Sequence, residues 1–150
     1  MTTILCGLWF VVGLVMAQSP NGEQDVRATV EAFYAAFNGH DFGTVPVTDD
    51  WEHINPLGGT RRGRAEVLKE PREVLSTFDK GVTDRIEDVS IRFPTADVAI
   101  AVVNGRMSTV VTPDGARHEN VRPIRTFVVV RRAGRWLIEH DQNTTIQAFD

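Results

Sequence analysis

The stretch Arg135-Trp136-Leu137-Ile138-Glu139-His140-Asp141-Gln142-Asn143-Thr144 begins as an apolar β-strand and ends in polar side chains. Polar groups cost free energy when they are buried without partners, so a buried strand with this ending is expected to line a wet or reactive space. His140 and Asp141 are neighbours, and neighbouring side chains point to opposite faces of a regular strand. Both can enter one cavity only if the strand carries a β-bulge.

Four strands account for the second half of the chain, and the quoted stretch lies in the last of them. Short turns rich in proline and glycine separate these strands, which predicts antiparallel neighbours. The turns are Pro94-Thr95, Pro113-Asp114-Gly115 and Ala133-Gly134. The predicted strands are Val82 to Phe93, Val98 to Val111, Asn120 to Arg132 and Arg135 to Ile146.

Helices dominate the first half. The apolar residues from Glu23 to Asn38 recur three or four apart, which predicts an amphipathic helix. A second helical stretch from Arg64 to Phe78 contains Pro71, which should kink it or split it in two. A short helix at Asp41 to Val45 and a strand at Trp51 to Asn55 complete the prediction. The element order predicts an α+β fold, in which a bent sheet packs on helices at its concave face.

The first residues form an uncharged apolar run, Ile4 to Met16, which ends at Ala17. This pattern is typical of a signal peptide and is too short for a comfortable membrane span. We therefore expect a signal peptide at residues 1–17, a linker at 18–22 and a folded domain at 23–147. If the signal peptide is cleaved, we expect the mature protein to be periplasmic or secreted and not attached to the membrane. Without cleavage we expect it to be cytoplasmic. Cys6, the sole cysteine, lies in the removed segment, which excludes thiol chemistry from the mature domain.

Composition excludes several other classes of protein. A length of 150 residues with 42% hydrophobic residues predicts one compact domain. The net charge of −4, without a long basic run, argues against a nucleic-acid partner. The 4 histidines are scattered, so we predict no metal site, and no glycine-rich phosphate loop or other cofactor motif is present. We therefore predict a protein without a cofactor.

Three motifs follow one another along the chain. They are Phe33-Tyr34-Ala35-Ala36-Phe37-Asn38-Gly39-His40-Asp41, then Ile54-Asn55-Pro56-Leu57-Gly58 before Arg62-Gly63-Arg64-Ala65-Glu66-Val67, and finally Gly134-Arg135-Trp136-Leu137-Ile138 leading to Gln142-Asn143-Thr144. Together and in this order they resemble the nuclear-transport-factor-2-like superfamily, and within it the SnoaL-like branch and its SgcJ/EcaC relatives. Asn55, Gly58 and Gly63 match the polar position and turn glycines of the middle motif, while Pro71 stands where many close relatives have a histidine.

The resemblance implies a cone-shaped, cystatin-like α+β fold with a curved antiparallel sheet wrapped on three N-terminal helices. It also implies a small organic ligand in the cone interior and a homodimer through the outer sheet face. Members of the superfamily include cyclases, isomerases, dehydratases and epoxide hydrolases, beside proteins with no known activity. Some SgcJ-like relatives are labelled oxidoreductases, a label that would rest here on the resemblance alone.

If the cone forms, its interior should collect an acid–base group and several ligand-binding side chains. Imidazole titrates near neutral pH and a carboxylate can fix its tautomer, so the predicted catalytic residues are His53, His140 and Asp141. Plainer roles compete: Asn55 can secure a turn, and Arg106 and Arg125 can pair with acids across strands. The predicted ligand-binding residues are Tyr34, Phe37, Trp51, Asn55, Asn104, Arg106, Gln142 and Asn143.

The sequence thus predicts a cofactor-independent lyase, isomerase or cyclase that acts on a small apolar substrate. The alternative is a non-catalytic exported module that binds a ligand or only dimerises, with Val103, Met107 and Val128 buried against a twin. One geometric observation separates these hypotheses. A bonded pair of His53 and a carboxylate at an open cavity favours the enzyme, whereas a cavity filled by side chains favours the scaffold.

Overall fold

The computed structural model describes residues 20–77, 81–112 and 114–146. The predicted signal peptide lies outside these residues. No helix within the described ranges is long and apolar enough to cross a membrane. In chain order the elements are α1 (Pro20–Asn38), β1 (Val47–Ile54), β2 (Thr60–Arg62), α2 (Arg64–Val67), α3 (Lys69–Ser76), β3 (Asp84–Thr95), β4 (Val98–Met107), β5 (Val110–Val111), β6 (Arg117–His118), β7 (Pro123–Arg132) and β8 (Arg135–Thr145).

Helix α1 packs on the sheet through the apolar stripe that the sequence predicts. Val26, Val30 and Phe33 repeat at helical spacing and are at most 1% exposed. The helix begins at Pro20, where a missing backbone N–H costs little, so three residues that were expected in the linker belong to it. At its other end, the amide of Asn38 exchanges two hydrogen bonds with the backbone of Asp84, at 2.8 and 2.9 Å. This contact fastens the end of α1 to β3.

The segment between α1 and α3 corrects one prediction and confirms another. The short helix expected at residues 41–45 is wrong, because this segment forms turns and the chain enters β1 at Val47. The expected break in the second helical stretch is confirmed, since α2 ends at Val67 and α3 begins at Lys69. Pro71 has no N–H to donate to the carbonyl of Val67, so one continuous helix cannot form there.

The main sheet has six strands in the order β2-β1-β8-β7-β4-β3, and β5 and β6 form a separate hairpin. The predicted curved, mainly antiparallel sheet is confirmed, with one pair that the sequence did not indicate, because β1 runs parallel to β8. The turn expected at Pro94-Thr95 lies two residues later, since β3 continues to Thr95. The segment predicted as one strand from Val98 divides into β4 and β5, and the turn at Gly115 closes the small hairpin.

The core lies between α1 and the inner face of the sheet. Phe33 contacts Phe127 and Trp51 edge to face, with ring centroids 5.1 and 6.0 Å apart. Trp136 and Ile138 are buried in this core. Val103 is fully buried on the inner face and Met107 lines the pocket described below, so the expectation that both would cover a twin at the outer face is wrong.

Candidate functional site

A cavity of about 210 Å³, which we call the inner pocket, lies between the helices and the inner face of the sheet. Its walls are largely apolar, with a few polar groups, as small-molecule sites commonly are. The lining residues are Phe33, Phe37, Trp51, His53, Asn55, Pro56, Val67, Glu70, Pro71, Val74, Leu75, Val82, Met107, Arg125 and Asn143.

The parallel pairing of β1 and β8 places His53 beside Asp141. These two residues are Cα partners, and paired residues of neighbouring strands point to the same face. His53 Nδ1 lies 3.0 Å from Asp141 Oδ2, and the Asp141 side chain is fully buried while 19% of the His53 side chain stays exposed. The histidine therefore separates the carboxylate from the pocket and is the member of the pair that a ligand can reach.

A β-bulge at Glu139 decides which side chains of β8 enter the pocket. Val129 and Val128, which are neighbours on β7, pair with Ile138 and His140, so Glu139 is an additional residue. Ile138 faces the core, and the extra residue shifts the alternation so that Asp141 and Asn143 face inward. His140 consequently points to the outer face, where its Nδ1 lies 3.3 Å from a carboxylate oxygen of Glu52.

Three donors surround the buried carboxylate of Asp141. The Trp51 indole N–H donates to Oδ1 at 2.8 Å, and His53 contacts Oδ2. Arg125 Nε lies 3.7 Å from the same Oδ2. An ionised carboxylate only accepts hydrogen bonds, so Nδ1 of a neutral His53 carries the proton and Nε2 is its basic nitrogen.

Arg125 lies on the inner face of β7, among aromatic rings. Its guanidinium carbon is 5.2 Å from the ring centroid of Phe33, 5.7 Å from that of Tyr34 and 5.9 Å from that of Phe127. These cation–π contacts hold the guanidinium plane in position. Only 12% of the side chain is exposed, so a charged group with a fixed orientation borders the inner pocket.

At the rim of the pocket, Asn55 and Glu70 join the β1–β2 turn to α3. Asn55 Oδ1 accepts the backbone N–H groups of Leu57 and Gly59 at 3.0 and 2.9 Å, which is the turn-securing role that the sequence left open. Its Nδ2 donates to Glu70 at 3.3 Å, and Arg61 donates to the other Glu70 oxygen at 2.8 Å. The hydrogen bond from Arg61 is the main reason why the pKa of Glu70 is lowered.

Two further ionisable groups lie behind Arg125. Burial raises the pKa of Tyr34 to about 12, with the positive charge of Arg125 opposing this and the negative charges of Asp84 and Asp141 adding to it. Burial also raises the pKa of Asp84, and Arg125 again opposes the shift. Both side chains therefore favour their neutral forms more than they would in water.

The structure brings some of the predicted site residues together and separates others. Phe37, Trp51, His53, Asn55 and Asn143 line the inner pocket, and Asp141 lies directly behind His53. Tyr34 is 5% exposed and lies behind Arg125 instead of on the pocket wall.

Four of the predicted residues lie on the outer face, because side chains alternate along a strand. Asn104 and Arg106 flank the inward-facing Gly105, and Arg106 donates to Glu87 at 2.6 Å. His140 and Gln142 flank the inward-facing Asp141. None of these four lines the pocket that His53 and Asp141 serve.

The sequence reasoning missed Arg125 and Glu70 as pocket residues. Arg125 is in phase with the buried Phe127 and Val129, and a charge on the apolar side of a strand is a readable signal for a cavity. Glu70 and Val74 are four residues apart on α3 and so share the helix face that covers the pocket. Within the described ranges no three histidine, cysteine or acidic residues cluster as metal ligands do.

A wider groove of about 660 Å³ lies elsewhere, lined by the 43–50 segment and by parts of β7 and β8. Charged residues such as Asp49, Asp50 and Arg135 border it, and it contains no histidine. The inner pocket is the better candidate site, because it alone of the two combines apolar walls with a histidine–carboxylate pair.

Comparison with solved structures gives the same architecture. A protein with a cystatin-like fold from Caulobacter vibrioides has 25% sequence identity and a TM-score of 0.79, over 85% of this chain and 91% of that one. An NTF2-like protein from Pseudomonas putida KT2440 has 16% identity and a TM-score of 0.72, over 89% and 92%. A hexachlorocyclohexane dehydrochlorinase, LinA-type3, from Novosphingobium barchaimii LL02 has 16% identity and a TM-score of 0.70, over 86% and 92%.

Comparison with protein families covers most of the folded part of the chain. No curated protein matches the sequence. The family model described as the SnoaL-like domain matches residues 30–138, which span α1 to the middle of β8 and include His53 and Arg125. With the cystatin-like and NTF2-like architecture of its structural neighbours, this match establishes that the chain belongs to the SnoaL-like domain family of the nuclear-transport-factor-2-like superfamily.

Proposed function

We propose that this protein is a cofactor-independent lyase, isomerase or cyclase in which His53 removes a proton from a small, largely apolar substrate. The observation that carries the proposal is the bonded pair of His53 Nδ1 and Asp141 Oδ2, 3.0 Å apart, at the wall of the inner pocket. A bonded histidine–carboxylate pair at an open cavity favours an enzyme over a non-catalytic module that binds a ligand or only dimerises. A bound small molecule is also what a pocket of this fold accommodates.

The chemistry follows from the tautomer of His53. Nε2 accepts a proton from a substrate carbon, and the imidazolium that forms is stabilised by the negative charge of Asp141 behind it. The proton then returns to another substrate atom in an isomerisation, whereas in an elimination the leaving group departs and the proton on His53 is released with it. Because Asp141 already accepts from Trp51, the carboxylate is held in place before the substrate arrives.

The structural neighbours are consistent with this reaction class without defining it. The neighbour from Novosphingobium is a dehydrochlorinase, and removal of hydrogen chloride includes the loss of a carbon-bound proton. At 16% identity the likeness extends to the fold alone, so the role of His53 rests on the contacts of this chain.

The test is proton exchange into deuterated water from small carbon acids, measured by proton NMR on the full chain. The probes are ketones, nitroalkanes and chlorinated cyclohexanes small enough for the pocket. We expect His53→Gln to slow exchange by about 100-fold or more, because general bases typically contribute that much. The matched control is His140→Gln, which alters the histidine of the outer face and should leave the rate unchanged.

Equal exchange rates in wild type and His53→Gln would contradict the proposal. Binding of probes without exchange of any of them would instead support the second candidate, a non-catalytic ligand-binding module. The apolar side chains of Phe33, Phe37 and Leu75 on the pocket wall favour this alternative, since they bind an apolar molecule without acting on it.

We also propose that the protein is exported and forms a homodimer through the outer sheet face. The apolar run at residues 4–16 supports export. The half-buried Ile100, Val102 and Val128 on the outer face support a dimer, because apolar side chains there gain by being covered. Light scattering on wild type and Val128→Lys tests the dimer, and mass spectrometry of the protein from its host tests cleavage.

A further inference from the structure

Arg125 has hydrogen-bonding capacity that the rest of the described chain does not use. Its Nε is covered and has no acceptor among the described residues, and the nearest carboxylate oxygen, on Asp141, is 3.7 Å away. A buried guanidinium without a close acceptor is costly, because charged donors lose strong hydrogen bonds to water on burial. The side chain nevertheless lines the inner pocket.

Asn143 lies directly beside Arg125 and also has a polar atom without a partner among the described residues, although this atom is an acceptor. The two residues are Cα partners on β8 and β7, and both line the inner pocket. Asn143 Oδ1 is covered and has no donor among the described residues. The amide Nδ2 of Asn143 and the N–H groups of the Arg125 guanidinium are hydrogen-bond donors, so these groups, and not Oδ1, can bind an oxygen of a ligand at this end of the pocket.

We propose that Arg125 and Asn143 form a subsite for a hydrogen-bond acceptor, in which both residues donate to the neutral carbonyl oxygen of the substrate. The inference rests on the proposed function and names the substrate class: a small ketone, aldehyde or ester with an acidic C–H next to the carbonyl. Arg125 and His53 both approach the same Asp141 Oδ2, so a carbonyl oxygen at the subsite brings the adjoining carbon towards His53.

Charge selects a neutral carbonyl over a carboxylate. The negative charge of Asp141 lies directly behind the pocket wall, and Asp84 lies close enough to Arg125 for the two charges to interact. A substrate carboxylate at Arg125 would add a further negative charge beside them, which like charges oppose. A carbonyl oxygen is neutral before reaction and becomes negative only as the proton leaves, at the time when Arg125 can stabilise it.

The reaction balances within the pocket. The C–H bond next to the carbonyl breaks, His53 Nε2 receives the proton, and the electron pair moves to the carbonyl oxygen as an enolate held by Arg125. In a substrate with a double bond next to the acidic carbon, return of the proton from His53 to the far end of the conjugated enolate gives an isomer. With a leaving group on the next carbon, that group departs with the electron pair of its bond and the proton from His53 is released with it, which gives an unsaturated carbonyl compound and restores the neutral imidazole.

The size of the pocket limits the substrate. Its volume of about 210 Å³ is below the usual range for drug-sized ligands. It equals the liquid volume of about seven water molecules, which suits a single ring with a short substituent. The side chains of Phe33, Phe37 and Leu75 offer apolar contact to that ring.

Three matched probes test the subsite: acetophenone with a neutral carbonyl, benzoate with a carboxylate, and ethylbenzene with no acceptor. Binding to the full chain is measured by ligand-observed NMR and by the fluorescence of tryptophan. Wild type should bind acetophenone at least about tenfold more tightly than ethylbenzene, because a hydrogen bond to a charged group contributes that much. Benzoate should bind more weakly than acetophenone.

Arg125→Met removes the donors and keeps an apolar side chain of similar length. We expect it to reduce the preference for acetophenone over ethylbenzene at least about tenfold, with little change for ethylbenzene. Asn143→Leu leaves the ion pair of Arg125 and Asp141 intact. It should also reduce the preference for acetophenone over ethylbenzene, and it provides a second test if Arg125→Met does not fold. The control is Arg131→Met, since Arg131 lies on the same strand over Trp136, at 5.8 Å, and outside the pocket lining.

An unchanged acetophenone preference in both pocket variants overturns the subsite, and so does tighter binding of benzoate than of acetophenone by wild type. Exchange of the acetophenone methyl protons separates this result from the proposed function. If acetophenone binding depends on Arg125 but proton exchange does not depend on His53, the subsite is supported and the proposed enzymatic function is contradicted. Exchange that depends on His53 but is equal in Arg125→Met retains the base and removes the subsite.

Discussion

Strands β1 and β8 carry two histidine–carboxylate pairs on adjacent rungs, and the two pairs have opposite surroundings. His53 and Asp141 face inward, and the carboxylate is fully buried with Trp51 and Arg125 beside it. Glu52 and His140 face outward, and their side chains are 37% and 28% exposed. The chemical groups are the same in both pairs, whereas access to water and to a cavity differs.

The comparison shows that the position of a pair across the sheet, more than its composition, determines what it can do. Water screens the outer pair and can replace either partner, so the pair contributes little to stability. In the inner pair each partner depends on the other, because water does not reach Asp141 to solvate it. The same isolation that makes the inner pair sensitive to substitution gives it the fixed geometry required of a base.

The largest expected difference between the pairs is in stability. Asp141→Asn removes the negative charge that Arg125, Trp51 and His53 share, and should lower the free energy of unfolding by about 3 to 5 kcal/mol. The matched Glu52→Gln should change it by less than about 0.5 kcal/mol. Urea denaturation followed by circular dichroism measures both, and equal losses would show that the faces do not differ as described.

Tyr34 extends the comparison to high pH. Its pKa in the folded protein is raised to about 12, so the folded state keeps the proton longer than the unfolded state. The stability contribution of the neutral phenol is fully present below pH 10 and is lost as pH rises towards 12, to a total of about 3 kcal/mol by linkage.

The protein has a single tyrosine, so Tyr34→Phe should remove this alkaline loss specifically. Denaturation at several alkaline pH values, with tyrosinate absorbance as a parallel readout, measures the effect. An identical alkaline decline in the two proteins would show that the folded-state pKa of Tyr34 is close to its usual value.

Adjacent residues of β4 provide a comparison of packing on the two faces. A Cβ on Gly105 would lie 2.7 Å from Asp84 Oδ1 and 3.1 Å from Pro123 Cγ on the crowded inner face. Gly105→Ala should therefore destabilise the protein by about 2 kcal/mol, as overpacking typically does. Asn104→Ala, on the outer face, should cost less than about 0.5 kcal/mol in the same denaturation assay. A harmless alanine at position 105 would mean that β4 shifts to make room.

The smallest expected effect concerns Glu70 at the rim of the pocket. Arg61 lowers its pKa, so the stability from this contact is present above about pH 4.3, the unfolded value, and is lost as pH falls through the lower folded value. Glu70 is a third exposed, so we expect Glu70→Gln to cost less than about 1 kcal/mol at neutral pH. The difference in free energy of unfolding between Glu70→Gln and wild type should shrink towards about pH 3. A difference that grows on acidification would contradict the lowered pKa of Glu70.

Local pattern was sufficient to predict most elements of the fold. The helical spacing of Val26, Val30 and Phe33 identified α1, and Pro71 identified the break between α2 and α3. The short helix expected at residues 41–45 did not form, since a few residues gain too little from helical hydrogen bonds to offset the cost of nucleation. The three-residue strand β2 has no apolar pattern and follows from its pairing with β1.

The predicted site residues on β1 line the inner pocket, whereas those on β4 lie on the outer face. Trp51, His53 and Asn55 alternate with Glu52 and Ile54, so the apolar Trp51 indicated which set faces inward. On β4 the polar residues Asn104 and Arg106 were predicted to bind the ligand because they are polar, but their side chains lie on the outer face of the sheet. The inward phase of that strand is defined by the small or apolar residues Ala101, Val103 and Gly105, which carry no recognisable chemistry.

The sequence by itself determined most of the helices and strands, because these depend on the spacing of residues along one segment. It also determined that His53 lies near the end of β1 and that His140 and Asp141 lie on β8. Only the tertiary structure decided that β1 runs parallel to β8, that Glu139 forms a bulge, and that Asp141 rather than His140 faces the pocket. Strand pairing joins residues 88 positions apart, such as His53 and Asp141. A bulge reverses the facing of every residue after it, and a sequence pattern read one strand at a time contains neither fact.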